Sequence, residues 1–171
     1  MATDQTLADV VGSIQLHEVD ETTGRLVAAL MAATADREIR LRMPEVIKVE
    51  GDPARLRHVV DNLLANVRTH TPQDAACEIA LALRDGEAVL VVADHGPGVT
   101  DAELRRLGDR FYRVNEARTR ASGGSGLGLS IARAIVEAHS GTLVAGHNRP
   151  TGLVMTVQLP NGRHDDEPSE D

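Results

Sequence analysis

The sequence predicts an α/β fold, a two-layer sandwich in which helices cover one face of a mixed β-sheet. Segments with helical and with strand periodicity follow one another in an irregular order, which is typical of this class. Hydrophobic residues are 42% of the 171 residues, enough for one domain with a sizeable core. Aromatic residues are only 1% of the chain, so this core must be aliphatic.

The first half of the chain contains two predicted helices and two predicted strands. Residues 20–35 have helical spacing, and "REIRLRM" and "VIKVE" alternate as strands do. A helix over 52–70 begins with Asp52 at the N-cap and Pro53 at the first helical position, and Thr71-Pro72 ends it.

The second half is predicted to complete the sheet. "CEIALAL" and "AVLVVAD" form a hairpin around Asp85-Gly86. A short helix over 100–107, capped by Thr100, precedes a polar loop over 108–125. A helix over 129–139 ends at Ser140 and Gly141, and two strands, "TLVAGHN" and "LVMTVQLP", follow.

Composition excludes several classes of function. The formal net charge of -8 disfavours a nucleic-acid or anionic-membrane surface. The single cysteine, Cys77, excludes an internal disulfide and suits a reducing compartment. We expect no membrane span and no signal peptide in this sequence, although a membrane-bound parent protein remains compatible with it.

Two asparagines stand beside the buried stripe of the helix over 52–70. The stripe itself is apolar at helical spacing: Leu56, Val59, Val60, Leu63, Leu64 and Val67. Asn62 and Asn66 lie one turn apart on its edge, where they are either solvated or neutral ligands for Mg²⁺.

A carboxylate ends the apolar strand in "VVADHGPGV". Asp94 would be costly to bury without a hydrogen-bond partner, and an exocyclic purine amine is one such partner. Gly96 and Gly98 would let a flat base approach the backbone. The other interpretation is a turn in which Asp94 bonds its own backbone.

Glycines precede the helix over 129–139 in "GGSGLGLSI". Unpaired N–H groups and the helix dipole make such an N-terminus an anion site, although a plain flexible loop has the same composition. The two aromatic residues, Phe111 and Tyr112, lie in the preceding polar loop, either as a core plug or as the anchor of a mobile lid.

These segments together resemble the nucleotide-binding boxes of bacterial sensor histidine kinases. The order "NLLANVRTHTP", "DHGPG", "RFYR" and "GGSGLGLSI" is similar to that of their catalytic ATP-binding domain, over roughly residues 20 to 160. The wider superfamily includes gyrase-type topoisomerases, ATPase chaperones and mismatch-repair ATPases. The resemblance implies a Bergerat-type fold with ATP held beneath a flexible lid.

The resemblance also assigns roles to residues. It implies that Asn62 and Asn66 hold Mg²⁺ on ATP, that Asp94 contacts the adenine amine, and that Gly96 and Gly98 flank the base. It further implies that Phe111 is the lid phenylalanine and that Gly124, Gly126, Leu127 and Gly128 bind the phosphates. We also assign His70 to the nucleotide site, and Asn62 together with the lid residue Arg113 to catalysis. Arg118 and Arg120 also lie in the lid, as solvated residues or as γ-phosphate ligands.

Two positions depart from the family pattern. Thr69 and His70 stand where the family often has lysine and tyrosine, so Arg68 or a lid arginine is our hypothesis for the source of the missing positive charge.

Hydrolysing relatives carry a water-activating glutamate where this chain has Asn62, which cannot act as a general base. Asp61 points roughly 100° away around the helix, so phosphoryl transfer is favoured over hydrolysis.

The phosphate acceptor is not apparent in this sequence. The family's acceptor histidine is followed by a basic residue and a proline that "LHEVDETT" lacks, so we interpret His17 as a linker residue. The resemblance therefore divides the chain into three parts: 1–18, a linker or stub of an upstream dimerisation helix; 19–160, the catalytic domain; and 161–171, a disordered acidic tail.

The expected function is that of a cytoplasmic catalytic domain from a membrane sensor. Its expected partners are the parent's histidine-bearing dimerisation domain and a response regulator, with no nucleic acid and no direct membrane contact. Two alternatives are a kinase that phosphorylates a serine on an anti-anti-sigma factor and a nucleotide-sensing module without catalysis. A nicotinamide-binding Rossmann domain is disfavoured, because the glycine loop follows a polar lid and not a strand.

Overall fold

The computed structural model describes residues 39–42, 47, 49–109, 112 and 126–161. Within them lie five strands and three helices. The strands are β1 (Ile39–Arg42), β2 (Cys77–Arg84), β3 (Glu87–Asp94), β4 (Thr142–His147) and β5 (Leu153–Pro160). The helices are α1 (Pro53–His70), α2 (Asp101–Leu104) and α3 (Gly128–Ala138). The predicted helix over 20–35, the stub over 1–18 and most of the loop over 108–125 lie outside the described residues.

The five strands form one mixed sheet, as the sequence predicts. Their order is β1-β2-β3-β5-β4. Strand β1 runs parallel to β2, and the other neighbours are antiparallel. The hairpin between β2 and β3 turns at Asp85 and Gly86, which both have positive φ. This turn geometry suits the right-handed twist of the two strands.

Helices α1 and α3 pack on one face of this sheet and form the main core with it. The largest side chains with under 2% exposure include Leu63 and Leu64 of α1, Val136 of α3 and Val157 of β5. Each such aliphatic side chain contributes about 1.5–3 kcal/mol through burial. The two-layer sandwich is therefore confirmed, and its core is aliphatic.

The ends of α1 match the sequence prediction. The Asp52 carboxylate accepts hydrogen bonds from the N–H groups of Ala54 and Arg55 at 2.9 and 3.2 Å. Pro53 occupies the first turn, and Thr71 is the C-cap. The stripe of residues on α1 that we predicted to be buried is inside, except that Leu56 is half-buried.

Helix α3 ends in a turn that joins it to the start of α1. Ser140 has φ 58°, and Gly141 N–H donates to Val136 O at 2.9 Å, which is a Schellman C-cap. His139 donates from Nδ1 to Ile135 O at 2.7 Å. Its Nε2 accepts from Asp52 N–H at 3.1 Å, so one imidazole links the two helices.

Three element predictions differ from the structure. Val49 of "VIKVE" makes only an isolated bridge with Asn161, because the N-cap of α1 follows within three residues and takes the chain out of the sheet. Helix α2 is four residues long, and turns with i to i+3 hydrogen bonds replace the rest of the helix predicted over 100–107. Asn161, which we assigned to the tail, is the partner in that bridge, and the rest of the tail lies outside the described residues.

Candidate nucleotide site

The two predicted metal ligands lie one turn apart on α1, and the first of them, Asn62, lies against α3. Asn62 and Asn66 are half-buried beside the apolar stripe of the helix. A Cβ placed on Gly128, at the start of α3, would lie 3.1 Å from Asn62 Oδ1. The fold therefore brings an asparagine of the first helix against the glycine-rich start of the second, which local sequence patterns alone cannot show.

Asn62 has an unsatisfied polar atom. Its Nδ2 is buried and has no hydrogen-bond partner within the described part of the chain. A buried donor without a partner costs about 1–3 kcal/mol. Rotating the amide by 180° would exchange donor for acceptor, so this position offers either an N–H to a phosphate oxygen or a carbonyl to Mg²⁺.

In the part of the chain that the structure describes, the N-terminus of α3 has no side-chain cap. Its N-cap residue is Leu127, which makes no capping hydrogen bond, and the preceding Gly126 has φ 68°. The first N–H groups of a helix have no intrahelical acceptor. An anion at this end would accept from them and also interact favourably with the helix dipole.

Asp94 is a buried carboxylate at the end of β3, with 5% of its surface exposed. Its Oδ1 accepts from Gly96 N–H at 2.8 Å. The turn in which Asp94 bonds its own backbone is therefore present. It also fixes the carboxylate against Gly96, where a side chain would not fit, since a Cβ there would lie 2.8 Å from Asp94 Oδ1.

Thr71 completes this region, and our sequence analysis recognised it only as a helix stop. The side chain is 6% exposed, and its Cγ2 lies 3.1 Å from the position of a Cβ on Gly96. The half of α1 between Asn62 and Thr71 covers about 13 Å at 1.5 Å per residue. The Gly128 region and the Asp94 region therefore lie at two points along one helix, as an elongated ligand would require.

The turn between β4 and β5 packs against Asp94 and was also missed. Asn148 Nδ2 donates to Asp94 O at 2.8 Å. A Cβ on Gly152, which has φ 118°, would clash with that same oxygen. A Cβ on Gly98 would lie 3.2 Å from Gly152 O, so the backbones of the two turns touch.

The residues that lead from α2 into the predicted lid contact Tyr112 and α3. Arg106 stacks on the Tyr112 ring at 4.0 Å from its centroid, a cation–π contact. Arg133 of α3 donates to Leu107 O at 2.9 Å and lies over Gly108. Tyr112 is thus half-buried against an arginine at the start of the lid and is not a plug of the main core.

Asp61, the carboxylate next to Asn62, is directed away from the site. It is exposed and lies 3.7 Å from Arg57 Nε, one turn earlier on α1. His70 is exposed at the last position of the helix. The lid residues Phe111 and Arg113, together with Gly124, lie outside the described residues, as do Arg118 and Arg120.

The fold is the α/β sandwich predicted for ATP-binding catalytic domains. The polar residues around Asn62 and Asp94 lie where the site was predicted along α1 and at the end of β3. A family model described as "Histidine kinase-, DNA gyrase B-, and HSP90-like ATPase" matches residues 51–163. The chain belongs to this family. Among the described residues, no helix is long and apolar enough to cross a lipid bilayer.

Individual relatives are sensor kinases. The chain is 42% identical over 128 residues to the signal transduction histidine-protein kinase BaeS of Escherichia coli K12, covering 75% of this chain and 27% of BaeS. The solved structure of the mycobacterial sensor histidine kinase MprB is 30% identical with a TM-score of 0.71, covering 82% of this chain and 94% of that one.

A further solved structure shows the same fold. Full-length ShkA in complex with AMPPNP is 24% identical with a TM-score of 0.68, covering 88% of this chain and 32% of that one. The chain thus spans only about a quarter to a third of the curated relatives BaeS and SenX3, at 27% and 35% of their lengths.

Proposed function

We propose that this chain binds Mg-ATP and donates the γ-phosphoryl group to a histidine on the dimerisation domain of a two-component sensor kinase. The observation that carries this proposal is the buried Nδ2 of Asn62, which has no partner among the described residues and belongs to a side chain that lies against Gly128, in a chain of the histidine kinase-like ATPase family. Within the described residues, neither this polar atom nor the N-terminus of α3 has a partner, and a metal-bound triphosphate would supply one to each.

The proposed nucleotide lies along the second half of α1. The adenine amine would donate to the Asp94 carboxylate, beside Gly96 and Thr71. The phosphates would accept from the first amides of α3, at Gly128 and its neighbours, after the turn at Gly126 and Leu127. His70, Gly98, Phe111, Arg113 and Gly124 are assigned to the nucleotide site by the family resemblance.

The residues present fit a magnesium site completed by phosphate oxygens. Asn62 and Asn66 would provide amide oxygens, which are ligands that Mg²⁺ accepts. When bound, Mg²⁺ would neutralise charge on the phosphates and orient them. The protein's own contribution is to hold both amides on one helix whose buried side is fixed in the core.

Transfer is favoured over hydrolysis by the residues around Asn62. An amide cannot accept a proton from water as a general base does. The nearby carboxylate of Asp61 is exposed and adjacent to Arg57. In the proposed reaction, an imidazole nitrogen of the acceptor histidine bonds to the γ-phosphorus, ADP leaves with the electrons of the broken P–O bond, and the imidazole proton goes to solvent.

The proposed biological setting follows from the relatives. The acceptor histidine would lie on the parent protein's dimerisation domain, and a response regulator would receive the phosphoryl group from it. We propose that this domain works in the cytoplasm and that its parent is a membrane sensor. The net charge of -8 agrees with protein partners and not with nucleic acid.

Calorimetric titration with Mg²⁺ and a non-hydrolysable ATP analogue tests the binding step. We expect the unmodified chain to bind and Asn66→Ala and Asp94→Ala to lose at least about tenfold in affinity, the equivalent of 1.4 kcal/mol. Arg57→Ala, on the exposed side of α1, is the control and should bind normally. No binding by the folded, unmodified chain would refute the proposal.

Phosphotransfer requires a second reagent. Labelled ATP is incubated with the chain and a supplied histidine-bearing dimerisation domain from a related sensor kinase. Acid-labile label on that domain, absent when its histidine is replaced, supports histidine transfer. Acid-stable label on a supplied anti-anti-sigma factor would instead support the serine kinase, and binding without either product would support a nucleotide-sensing module.

A further inference from the structure

We propose that Asn148 is a positioning residue that sets the preference of this site for adenine over guanine nucleotides by fixing the backbone of Asp94. The inference rests on the proposed function, because it concerns how the same site selects its base. The observation behind it is the turn between β4 and β5, which lies far from Asp94 in the chain. The Asn148 side chain of this turn donates to Asp94 O, and the backbone of Gly152 packs against the same oxygen.

Asn148 supplies a hydrogen bond where the sheet stops supplying one. The pairing of β3 with β5 ends at Ala93 and Val154, one residue before Asp94. The next carbonyl, Asp94 O, accepts from Asn148 Nδ2 at 2.8 Å. A side-chain amide thus replaces a strand partner at the position where the chain leaves the sheet to enter the turn at Gly96.

The amide of Asn148 is itself held in place. Its Oδ1 accepts from Arg149 N–H at 2.9 Å, and Asn148 N–H donates to Gly152 O at 3.0 Å. With both the backbone and the amide oxygen engaged, the Nδ2 donor has a fixed direction. A donor with a fixed direction restrains its acceptor, so the peptide between Asp94 and His95 cannot rotate freely.

The same turn contacts the region of Asp94 at further points. Gly152 approaches Asp94 O so closely that no side chain would fit, and its oxygen and nitrogen lie against Gly98. His147 Nε2 lies 2.7 Å from Asp101 Oδ1, just beyond the glycine turn. The segment from Asp94 to Asp101 is therefore held at one end by this turn and at the other by His147, the last residue of β4.

Restraint of this peptide matters for base selection because of what the two purines present. Adenine offers an exocyclic N–H donor at the position where guanine offers a carbonyl oxygen. A carboxylate in a fixed direction accepts from the first and is repelled by the second. A carboxylate that can rotate discriminates less between the two bases. It can turn away from the guanine oxygen, and its hydrogen bond from the adenine amine is less well aligned.

The test compares the affinities of the chain for non-hydrolysable analogues of ATP and GTP, each with Mg²⁺. Asn148→Asp keeps the side-chain shape but places an acceptor against Asp94 O, and Asn148→Ala removes the donor. We expect the ratio of ATP to GTP affinity to fall about tenfold in both variants, the equivalent of one lost hydrogen bond. Most of the change should be weaker ATP binding.

Asn161→Asp is the matched control. It makes the same chemical change just after β5, at the opposite end of that strand from Gly152, where Asn161 pairs with Val49. We expect its ratio to equal that of the unmodified chain. Thermal unfolding of every variant measures stability separately from selectivity, and Asn148→Asp serves if Asn148→Ala does not fold.

The possible outcomes separate the two proposals. If the unmodified chain binds neither analogue, the proposed function fails and this inference fails with it. If it prefers ATP and the Asn148 variants keep that preference, or lose ATP and GTP affinity equally, Asn148 is only structural and this inference alone fails. A lowered ratio in Asn161→Asp as well would also overturn it.

Discussion

Gly128 is a residue at which helix propensity and the proposed phosphate site favour different side chains. It occupies the first position of α3, where alanine is the better helix former by up to about 1 kcal/mol. A methyl group there would lie 3.1 Å from Asn62 Oδ1, closer than such contacts usually come. The side chain of Asn62 would then have to move by a few tenths of an ångström.

Gly128→Ala should therefore separate stability from binding. We expect the melting temperature without nucleotide to stay the same or rise, and the affinity for Mg-ATP to fall at least about tenfold because Asn62 is displaced. Calorimetry and thermal unfolding measure the two effects. Gly146→Ala is the matched control, since its methyl would also lie 3.1 Å from a side chain, that of Val154, but on β4. Normal affinity in Gly128→Ala would contradict the role given to Asn62.

Helix α2 is an element with only four residues, so its ends determine its stability. Thr100 N–H and Thr100 Oγ1 donate to Glu103 Oε2 at 2.7 and 2.8 Å, and Glu103 N–H donates to Thr100 Oγ1 at 3.3 Å. This capping box satisfies N-terminal donors that so short a helix cannot satisfy itself. The element leads directly into the residues that precede the lid.

The capping box predicts how the order of α2 depends on pH. The hydrogen bonds from Thr100, first from its backbone and then from its hydroxyl, lower the pKa of Glu103 and outweigh the opposing effect of burial. Because the folded pKa lies below the unfolded one, the stabilisation is complete above the unfolded pKa. It is lost as the pH falls through the folded pKa.

NMR titration of the Thr100 and Glu103 amides checks this prediction. We expect a midpoint below that of glutamate in a short peptide, with hydrogen exchange in α2 rising as the carboxylate is protonated. Glu103→Gln should abolish the titration and leave the rest of the sheet unaffected. A midpoint at or above the peptide value would show that the box does not persist in solution.

At the element scale, sequence patterns predict best where local chemistry decides the structure. The alternation in β2 and β3 predicts the hairpin, and Asp52 with Pro53 predicts the start of α1 to the residue. "VIKVE" alternates equally well, yet Val49 makes only a bridge, because pairing depends on where the rest of the chain lies. Periodicity describes a segment and does not identify its partner.

The candidate site shows the same division. Asn62, Asn66, Asp94 and the glycines were identifiable because they stand at positions with local signals, a helix edge or a strand end. The hydrogen bond from Asn148 to Asp94 spans 54 residues, and no local pattern marks it. Thr71 has a local signal, but that signal indicates only a helix stop, and its contact with Gly96 depends on the fold.

At the scale of the whole molecule, the proposed site and the core are parts of one unit. Leu63 and Leu64 lie between Asn62 and Asn66 in α1, and Val136 lies on the same helix as Gly128, α3. All three apolar side chains belong to one buried cluster. The two helices that would hold the phosphates thus cannot separate without opening that cluster. A ligand held between them should bind only the folded chain.

Binding should therefore stabilise the whole domain by an amount set by mass action. At a free concentration of Mg-ATP analogue about 100 times its Kd, we expect the free energy of unfolding to rise by about 2.7 kcal/mol. For a chain of this size that corresponds to a melting temperature higher by roughly 5–10 °C. The slope of unfolding free energy against denaturant should not change, because the same surface is exposed on unfolding.

Asn66→Ala distinguishes linked binding from general stabilisation by solutes. The side chain is half-buried, so we expect the unfolding free energy without nucleotide to remain within about 1 kcal/mol of that of the unmodified chain. The increment on adding Mg-ATP analogue should fall to about 1.4 kcal/mol or less, since a tenfold loss of affinity leaves the analogue at no more than about ten times the Kd of the variant. Denaturant unfolding with and without analogue measures both quantities. An undiminished increment in Asn66→Ala would mean that the nucleotide stabilises the fold from somewhere other than the space between α1 and α3.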